Sequence, residues 1–551
     1  MKRFALVLAA LVLFVYFFGL GSYALIDPDE GRYAEIAREM LESGDYVTPR
    51  LNYVKYFEKP VLHYWMTAIS FGVLGQNEFA ARLAPVLCAL GGIGLTFMLG
   101  RQMWGFRSAV YAAAILSTSL LWFAIARLNI LDMTVSFFIT LSVAGFWMGT
   151  RNASPGDRRY LFLFYVGMAL ATLSKGLIGI VLPGGIAFWY ILLTRRWKLI
   201  ARSLYCPGIA VFFLLAVPWF WAVCRVNDDF FHFFFVQEHL LRYMTQIHDR
   251  YEPFWYFVPV LIGGLMPWAG LLPDMFRMIF FADPQGRLSE KAGITGCAKS
   301  FFLGIWFAVP FVFFSLSSSK LVPYIVPCLP PLALLGGRAL TLIADGNGKH
   351  GKCFAVLNGI LLLLTALVGV VYSLMDNKLG SAVLLPYTLP AVFSLLALAF
   401  ACGWFYFRGA YKMMVDACCV LAFVNVVTFS QGFALKAGLD SYKAAAAQIR
   451  EHTGTDDVVV VGYRDPVQGL GFYLKRRIVL AEYFGELRFG ALQEKDPRWF
   501  IDGERLKSLW DGPTRVFLVL DGRRIKDLEQ LLGRSAKEIW RSANDAVLVN
   551  F

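Results

Sequence analysis

The chain has 551 residues, 58% of them apolar and 17% charged, with a mean hydropathy of +0.57. That balance excludes a soluble globular protein and indicates a polytopic membrane protein. The formal net charge of +13 lies largely in short loops between apolar spans, where it orients helices, and no nucleic-acid signature accompanies it.

Runs near twenty apolar residues, enough to cross a hydrocarbon core of roughly 30 Å as helix, predict about thirteen transmembrane helices. They fall at approximately 4–26, 79–100, 108–126, 130–150, 160–174, 177–194, 204–224, 254–276, 300–317, 321–343, 354–374, 382–407 and 413–435. Pro323, Pro327, Pro330 and Pro331 interrupt the span at 321–343, which predicts a broken helix there, because proline survives in a membrane helix only where neighbours satisfy the freed backbone. Lys2 and Arg3 precede the first span and small residues Gly21, Ser22 and Ala24 end it, as in a signal peptide. Its apolar stretch is longer than a usual signal core, so a retained anchor is expected.

Basic residues cluster in alternate connections, at Arg101/Arg107, Arg151/Arg158/Arg159, Arg195/Arg196/Lys198/Arg202, Arg277/Arg287/Lys291/Lys299, Arg338/Lys349/Lys352 and Arg408/Lys412. The positive-inside rule puts these in the cytoplasm together with the N-terminus. The outward side then receives the loop 27–78, the corners near Arg127, Lys175 and Lys320, the loops 225–253 and 375–381, and the tail after Lys436. Two domains are expected, a transmembrane part at 1–436 and a soluble part at 437–551. All nine cysteines precede Gly432, and no disulfide framework or zinc-knuckle spacing is present.

The tail alternates elements. Helices are expected at Ser441–His452, Pro466–Lys475 and near Asp527–Leu532, and strands at Asp457–Tyr463, Ile478–Tyr483, Arg515–Leu520 and Ala546–Phe551, giving a small α/β domain. Gly462, Gly469 and Gly471 lack the tight spacing of a dinucleotide turn.

Charged groups gather on the outward side. Asp27-Pro28-Asp29-Glu30 follows the first span: Asp27 suits an N-cap, Pro28 the first helical position, and Asp29 with Glu30 the helix dipole, but three carboxylates within four residues exceed what capping needs. Asp29 is the acid left for chemistry. Tyr33, Ile36, Ala37, Met40 and Leu41 then share one face and Arg32, Glu35, Arg38, Glu39 and Glu42 another, which predicts an amphipathic helix lying in the membrane interface. Tyr56-Phe57-Glu58-Lys59-Pro60 holds Lys59 at the water boundary, either snorkelling or binding an anion. Asp132 begins a span after the Arg127 corner, where a boundary charge is a functional candidate. Glu238-His239 with Arg242 lies in the loop 225–253, and Lys320 with Tyr324 in the last proline-rich corner. Lys59, Arg242 and Lys320 suit an anionic lipid head group. Glu58 and His239 have ligand types for a divalent metal such as zinc, without diagnostic spacing.

Asp27–Leu41, Tyr56–Trp65, Glu238–Arg242 and Ser317–Leu335 together resemble the polyprenyl-phosphate-dependent aminoarabinose transferases that modify lipid A, relatives of the protein O-mannosyltransferases. The resemblance covers the membrane part and is weaker over the tail. It implies a C-type glycosyltransferase fold with a small C-terminal α/β periplasmic domain, in the bacterial inner membrane. The donor would be 4-amino-4-deoxy-L-arabinose on undecaprenyl phosphate and the acceptor a lipid A phosphate. The family's acidic positions fall on Asp29 and Asp132, and its phosphate-binding positions on Lys59, Arg242 and Tyr324, with Lys320 and Tyr56 beside them. An acceptor phosphate is already anionic near neutral pH, so the two acids are expected to hold the donor's ammonium group and ring. The leaving phosphate departs once Lys59 and Arg242 neutralise it. A transferase for another sugar and a lipid-phosphate transporter are the alternatives; paired midplane charges would mark the transporter.

Overall fold

A computed structural model of the chain describes residues 1–151, 154–234, 252–281, 297–376, 379–453 and 458–551. Among them, eight helices are long and apolar enough to cross a bilayer: Glu78–Trp104, Leu131–Thr150, Cys206–Val226, Ala298–Leu316, Val322–Ala344, Gly348–Met375, Ser381–Phe407 and Tyr411–Asp440. Two bent pairs, Phe106–Thr118 with Leu120–Ala126 at 62° and Phe257–Gly264 with Ala269–Phe280 at 113°, raise the number to ten. The chain is a multi-pass membrane protein. The expected total of about thirteen is not reached by this measure. Lys2–Phe17, Leu161–Lys175 and Ile178–Thr194 are apolar helices of 16, 15 and 17 residues, short of the roughly 20 that a perpendicular crossing takes.

The proline-rich span is broken as its sequence requires. Val322–Cys328 winds as a 3-10 helix and Leu329–Ala344 continues as α-helix, because Pro323 and Pro327 remove two amide donors within one short stretch.

The chain divides into two compact units. The first comprises Met1–Phe18, Pro85–Arg127 and Leu131–Gln431, and the second Gly19–Ala84, Leu128–Ile130 and Gly432–Phe551. Residues 19–84 therefore group with the tail, whereas a cut at 436/437 would leave them with the membrane helices.

In the first unit, Leu131–Thr150 and Leu161–Lys175 run side by side. Small residues set their spacing: a Cβ on Gly145 would lie 2.5 Å from the Phe164 nitrogen, and one on Gly167 2.6 Å from that of Ser142. Such close backbone approach is how membrane helices associate without a hydrophobic driving force. It carries the start of one helix to the end of the other, and so brings Asp132 to Lys175.

In the second unit, the tail forms a six-stranded sheet from β3 (Val458–Tyr463), β4 (Val479–Ala481), β5 (Phe500–Ile501), β6 (Arg515–Asp521), β7 (Lys537–Arg541) and β8 (Asp545–Val549), after a small hairpin of β1 (Arg50–Leu51) and β2 (Val54–Lys55) earlier in the chain. The spatial order is β5-β4-β3-β6-β8-β7, parallel from β5 to β6 and antiparallel beyond. Val461, Leu506, Trp510, Leu518, Leu528 and Leu548 are buried in its core. The four expected strands correspond to β3, β4, β6 and β8. β5, β7 and the helix Gly503–Asp511 were not expected: β5 has two residues, and β7 (Lys-Glu-Ile-Trp-Arg) is the charged edge strand that protects a sheet from pairing further.

Helix Asp29–Ser43 departs from the expected interfacial helix. Arg32, Glu35, Arg38 and Glu39, on the face assigned to water, are all buried. Arg38 forks onto both oxygens of Glu35 at 2.7 and 2.8 Å, and Glu39 accepts the Tyr53 amide at 2.9 Å. Burial of Arg32, Glu35 and Arg38 is tolerated because these charges are paired.

Candidate active site

The three opening acids have three different partners. Asp27 does not cap its own helix: its carboxylate accepts the amide of Gly469 at 2.8 Å, at the first turn of the tail helix Gln468–Leu474, while its own amide donates to the Asp440 carbonyl at 2.9 Å. Burial pushes the Asp27 carboxyl well above the usual carboxylate range. Glycine is required on both sides of this contact, since a Cβ on Gly31 would sit 2.2 Å from an Asp27 oxygen and one on Gly469 2.4 Å from the other. Glu30 is 1% exposed and engages Arg82 and the amides of Ile26 and Asn129. Asp29 alone is open, with 61% of its side chain accessible and Arg32 3.5 Å away.

Arg32 is the hub of this segment. Its Nε donates to Gln468 Oε1 at 2.7 Å and its Nη2 lies 2.7 Å from Glu486 Oε2, while Nη1 faces both Asp29 Oδ1 and the Tyr56 hydroxyl at 3.5 Å. Tyr56 is buried, which pushes its phenol up and keeps it protonated, and it donates to Glu58 Oε2 at 3.2 Å. Lys59 Nζ donates to the Glu58 carbonyl at 2.9 Å. The hairpin is clasped to the tail by Asn52, whose amide exchanges two hydrogen bonds with the Ile478 backbone at 2.8 and 2.9 Å. Asn52 and Tyr53 have φ of +53° and +63°, the conformation of a tight two-residue hairpin turn.

In the first unit, Asp132 forms an ion pair with Lys175, whose side chains are only 14% and 10% accessible. Lys175 Nζ also stands 4.6 Å from the centre of the Tyr324 ring, a cation–π contact. These three line a small pocket completed by apolar groups including Phe314, Pro323 and Pro327. Lys320 is buried and donates to the carbonyls of Ser317 and Glu252 at 2.6 and 2.8 Å.

Asp132 and Tyr324 are thus brought together, as are Asp29, Tyr56, Glu58 and Lys59 along one polar network. Arg242, Glu238 and His239 lie outside the described residues. No group of three or more His, Cys, Asp or Glu side chains suited to a metal occurs among the described residues. Lys175, Arg32, Glu486 and Gln468 were not among the expected site residues. A lysine at an outward corner was a usable signal for Lys175; nothing local in the sequence marks the other three.

Residues 1–234 match the family model described as dolichyl-phosphate-mannose-protein mannosyltransferase, and residues 445–550 that of the aminoarabinose transferase C-terminal domain. An undecaprenyl phosphate-alpha-4-amino-4-deoxy-L-arabinose arabinosyl transferase of Pseudomonas fluorescens is 37% identical over 397 residues, covering 70% of this chain and 69% of that protein. The transferase of the same name from Pseudomonas aeruginosa is 35% identical over 374 residues, 66% and 65% of the two chains. The crystal structure of ArnT from Cupriavidus metallidurans bound to undecaprenyl phosphate superposes with a TM-score of 0.86 at 30% identity, covering 100% of this chain and 98% of that one. The Archaeoglobus fulgidus oligosaccharyltransferase, at 14% identity and a TM-score of 0.51 over 95% and 69% of the chains, shares the fold alone.

With many apolar helices, these matches define a C-type glycosyltransferase that uses a polyprenyl-phosphate sugar donor. The curated relatives, the whole-chain structural match and the family model of the tail say which one. The chain belongs to the family of undecaprenyl phosphate-aminoarabinose arabinosyl transferases.

Proposed function

We propose that the protein transfers 4-amino-4-deoxy-L-arabinose from undecaprenyl phosphate to phosphate groups of lipid A, at the periplasmic face of the bacterial inner membrane, and so confers resistance to polymyxin and other cationic peptides. The observation that carries this reading is the likeness, over the whole chain, to a transferase solved with undecaprenyl phosphate. The charge pattern of the loops supports a cytoplasmic N-terminus and a periplasmic tail, with the short helices Lys2–Phe17, Leu161–Lys175 and Ile178–Thr194 completing about thirteen spans.

The proposed chemistry is positioning and charge stabilisation. Asp29, open to its surroundings, receives the sugar's ammonium group, and Asp132, poised by Lys175, contacts the sugar ring. Lys59, Arg242 and Tyr324 bind the donor phosphate and stabilise it as it leaves. Lys320, whose ammonium is engaged by two backbone carbonyls, shapes the corner that presents Tyr324, and Tyr56 supports Glu58. The acceptor phosphate attacks the anomeric carbon as an anion and needs no general base. Glu58, buried and oriented by the Tyr56 hydroxyl, fits a metal ligand held from behind, and with His239 is the pair proposed for a divalent cation such as zinc. Elemental analysis of purified parent and Glu58→Gln proteins tests that assignment.

Mass spectrometry of lipid A from a polymyxin-sensitive host supplied with the donor tests the function. A pentosamine added to lipid A phosphate on expression of the chain is expected. An unmodified lipid A, or a different sugar on it, overturns the proposal.

A further inference from the structure

Among the buried charges that the transfer chemistry does not use, Arg32 is distinguished by what it joins. Its side chain is 7% accessible, and the faces of its guanidinium are divided between two parts of the chain more than 400 positions apart. Nε and Nη2 go to Gln468 and Glu486 of the tail, and Nη1 faces Asp29 and Tyr56 of the first loop. From Tyr56 the path runs on to Glu58. A guanidinium is planar and rigid, so fixing two of its nitrogens fixes the third.

The distances show how the charge is shared. Glu486 stands at 2.7 Å and Asp29 at 3.5 Å from the same guanidinium. Two carboxylates compete for one cation, and the tail's carboxylate holds the closer place. We infer that Glu486 and Gln468 are positioning residues for transfer: by holding Arg32, the tail leaves the Asp29 carboxylate free to meet substrate and keeps Tyr56 aimed at Glu58. Without Glu486 the guanidinium is released to Asp29, the 3.5 Å i,i+3 pair they already form tightens, and Asp29 is withdrawn from the reaction. The tail thus acts on chemistry through one arginine, without touching substrate itself.

This inference rests on the proposed role of Asp29, and two readouts separate the two. In membranes with defined donor and lipid A, Glu486→Gln is expected to lower kcat by about 100-fold, the scale of a small displacement of a reacting group, with donor KM changed less than about threefold and the melting temperature retained. Glu486→Asp, which keeps the charge, is expected to recover part of that loss. Arg32→Gln with Glu486→Gln is expected to be no slower than Arg32→Gln alone, since a shared path makes the effects non-additive. Independently of activity, hydrogen exchange over residues 27–35 is expected to change in Glu486→Gln while that of the β3 and β6 core does not. A parent protein that transfers no aminoarabinose overturns the proposed function and leaves this inference to the exchange result. Full activity of Glu486→Gln, additive losses in the double variant, or unchanged exchange over 27–35 overturns the inference.

Discussion

Glu30 and Arg82 form a two-pronged ion pair, with Arg82 Nε and Nη2 each 2.8 Å from one Glu30 oxygen, and both side chains are almost fully buried. Arg82 spends its remaining hydrogens on the carbonyls of Leu20, Tyr23 and Ala24. The acid next in sequence to Asp29 is therefore committed, through Arg82, to holding the segment 20–24 that follows the first helix, which separates the roles of two adjacent carboxylates. Glu30→Gln leaves Arg82 as a buried charge with half its partner, so a loss of about 3–5 kcal/mol is expected, seen as a large drop in melting temperature in detergent. Asp29→Asn is expected to melt like the parent and to lose about 100-fold or more in transfer. A melting temperature that falls for Asp29→Asn and holds for Glu30→Gln would reverse the assignment.

Lys175 is expected to be as important as the acid it pairs with. Lys175→Met strands Asp132 among the apolar groups of its cavity, which costs about 3–5 kcal/mol when one partner of a buried pair is removed. Combining it with Asp132→Asn removes both charges and is expected to restore much of the stability but none of the transfer. Melting temperature and transfer rate, measured on the two single variants and the double, check both halves of this statement.

The glycine contact gives a steric test free of charge effects. A methyl group on Gly469 meets the Asp27 carboxylate at 2.4 to 2.6 Å, and overpacking of this kind typically costs 1–3 kcal/mol, taken as an order of magnitude. Gly469→Ala is expected to lower the melting temperature and the transfer rate together, whereas alanine at Gly438, where no heavy atom stands within 4 Å of the new Cβ, is expected to leave both unchanged.

The tail carries a pH response in its sheet. Asp521 and Asp545 are cross-strand partners on β6 and β8, and like charges placed opposite one another repel. Burial, with Asp465, Asp521 and Asp440 nearby, pushes the Asp545 carboxyl up to about 7. Its folded value lies above its unfolded one, so between about pH 4 and 7 the folded chain holds the extra proton, and stability from this group falls as pH rises through that window. Asp545→Asn is expected to stabilise the chain at pH 7.5 by on the order of 1 kcal/mol after solvent screening, and to change little at pH 5. Thermal melts at the two pH values check the sign.

How far the sequence foretold this arrangement depends on the range of the interaction. Helices with a continuous apolar pattern and the strand Val458–Tyr463 were legible because their signals are local. The break before Leu329 followed from proline chemistry. Asp132 stood out as a charge at a helix start, and its partner Lys175 was visible at a corner without being joined to it. Arg32 read as solvent-facing because a 3.6-residue periodicity places charges on the wet side of a helix. That inference fails where another segment supplies matching polar groups, as Gln468 and Glu486 do. No periodicity announces a partner 442 positions away, such as Gly469 for Asp27. The charged edge strand β7 was hidden for a related reason, since a strand with one neighbour carries little apolar pattern.

The close seat of Gly31 on Gly469 and Asp27 also sets a clock on biosynthesis. Gly469 follows Gly31 by 438 positions, so at ribosomal speeds of 5–20 residues per second the first loop waits roughly 20–90 s for the surface it folds against. During that wait the charges of Arg32, Glu35, Arg38 and Glu39 serve the nascent helix as a water-compatible coat, which an apolar interface of the same area would lack. The polar character of this interface, costly once buried, keeps an early-made segment from aggregating until its late-made partner arrives.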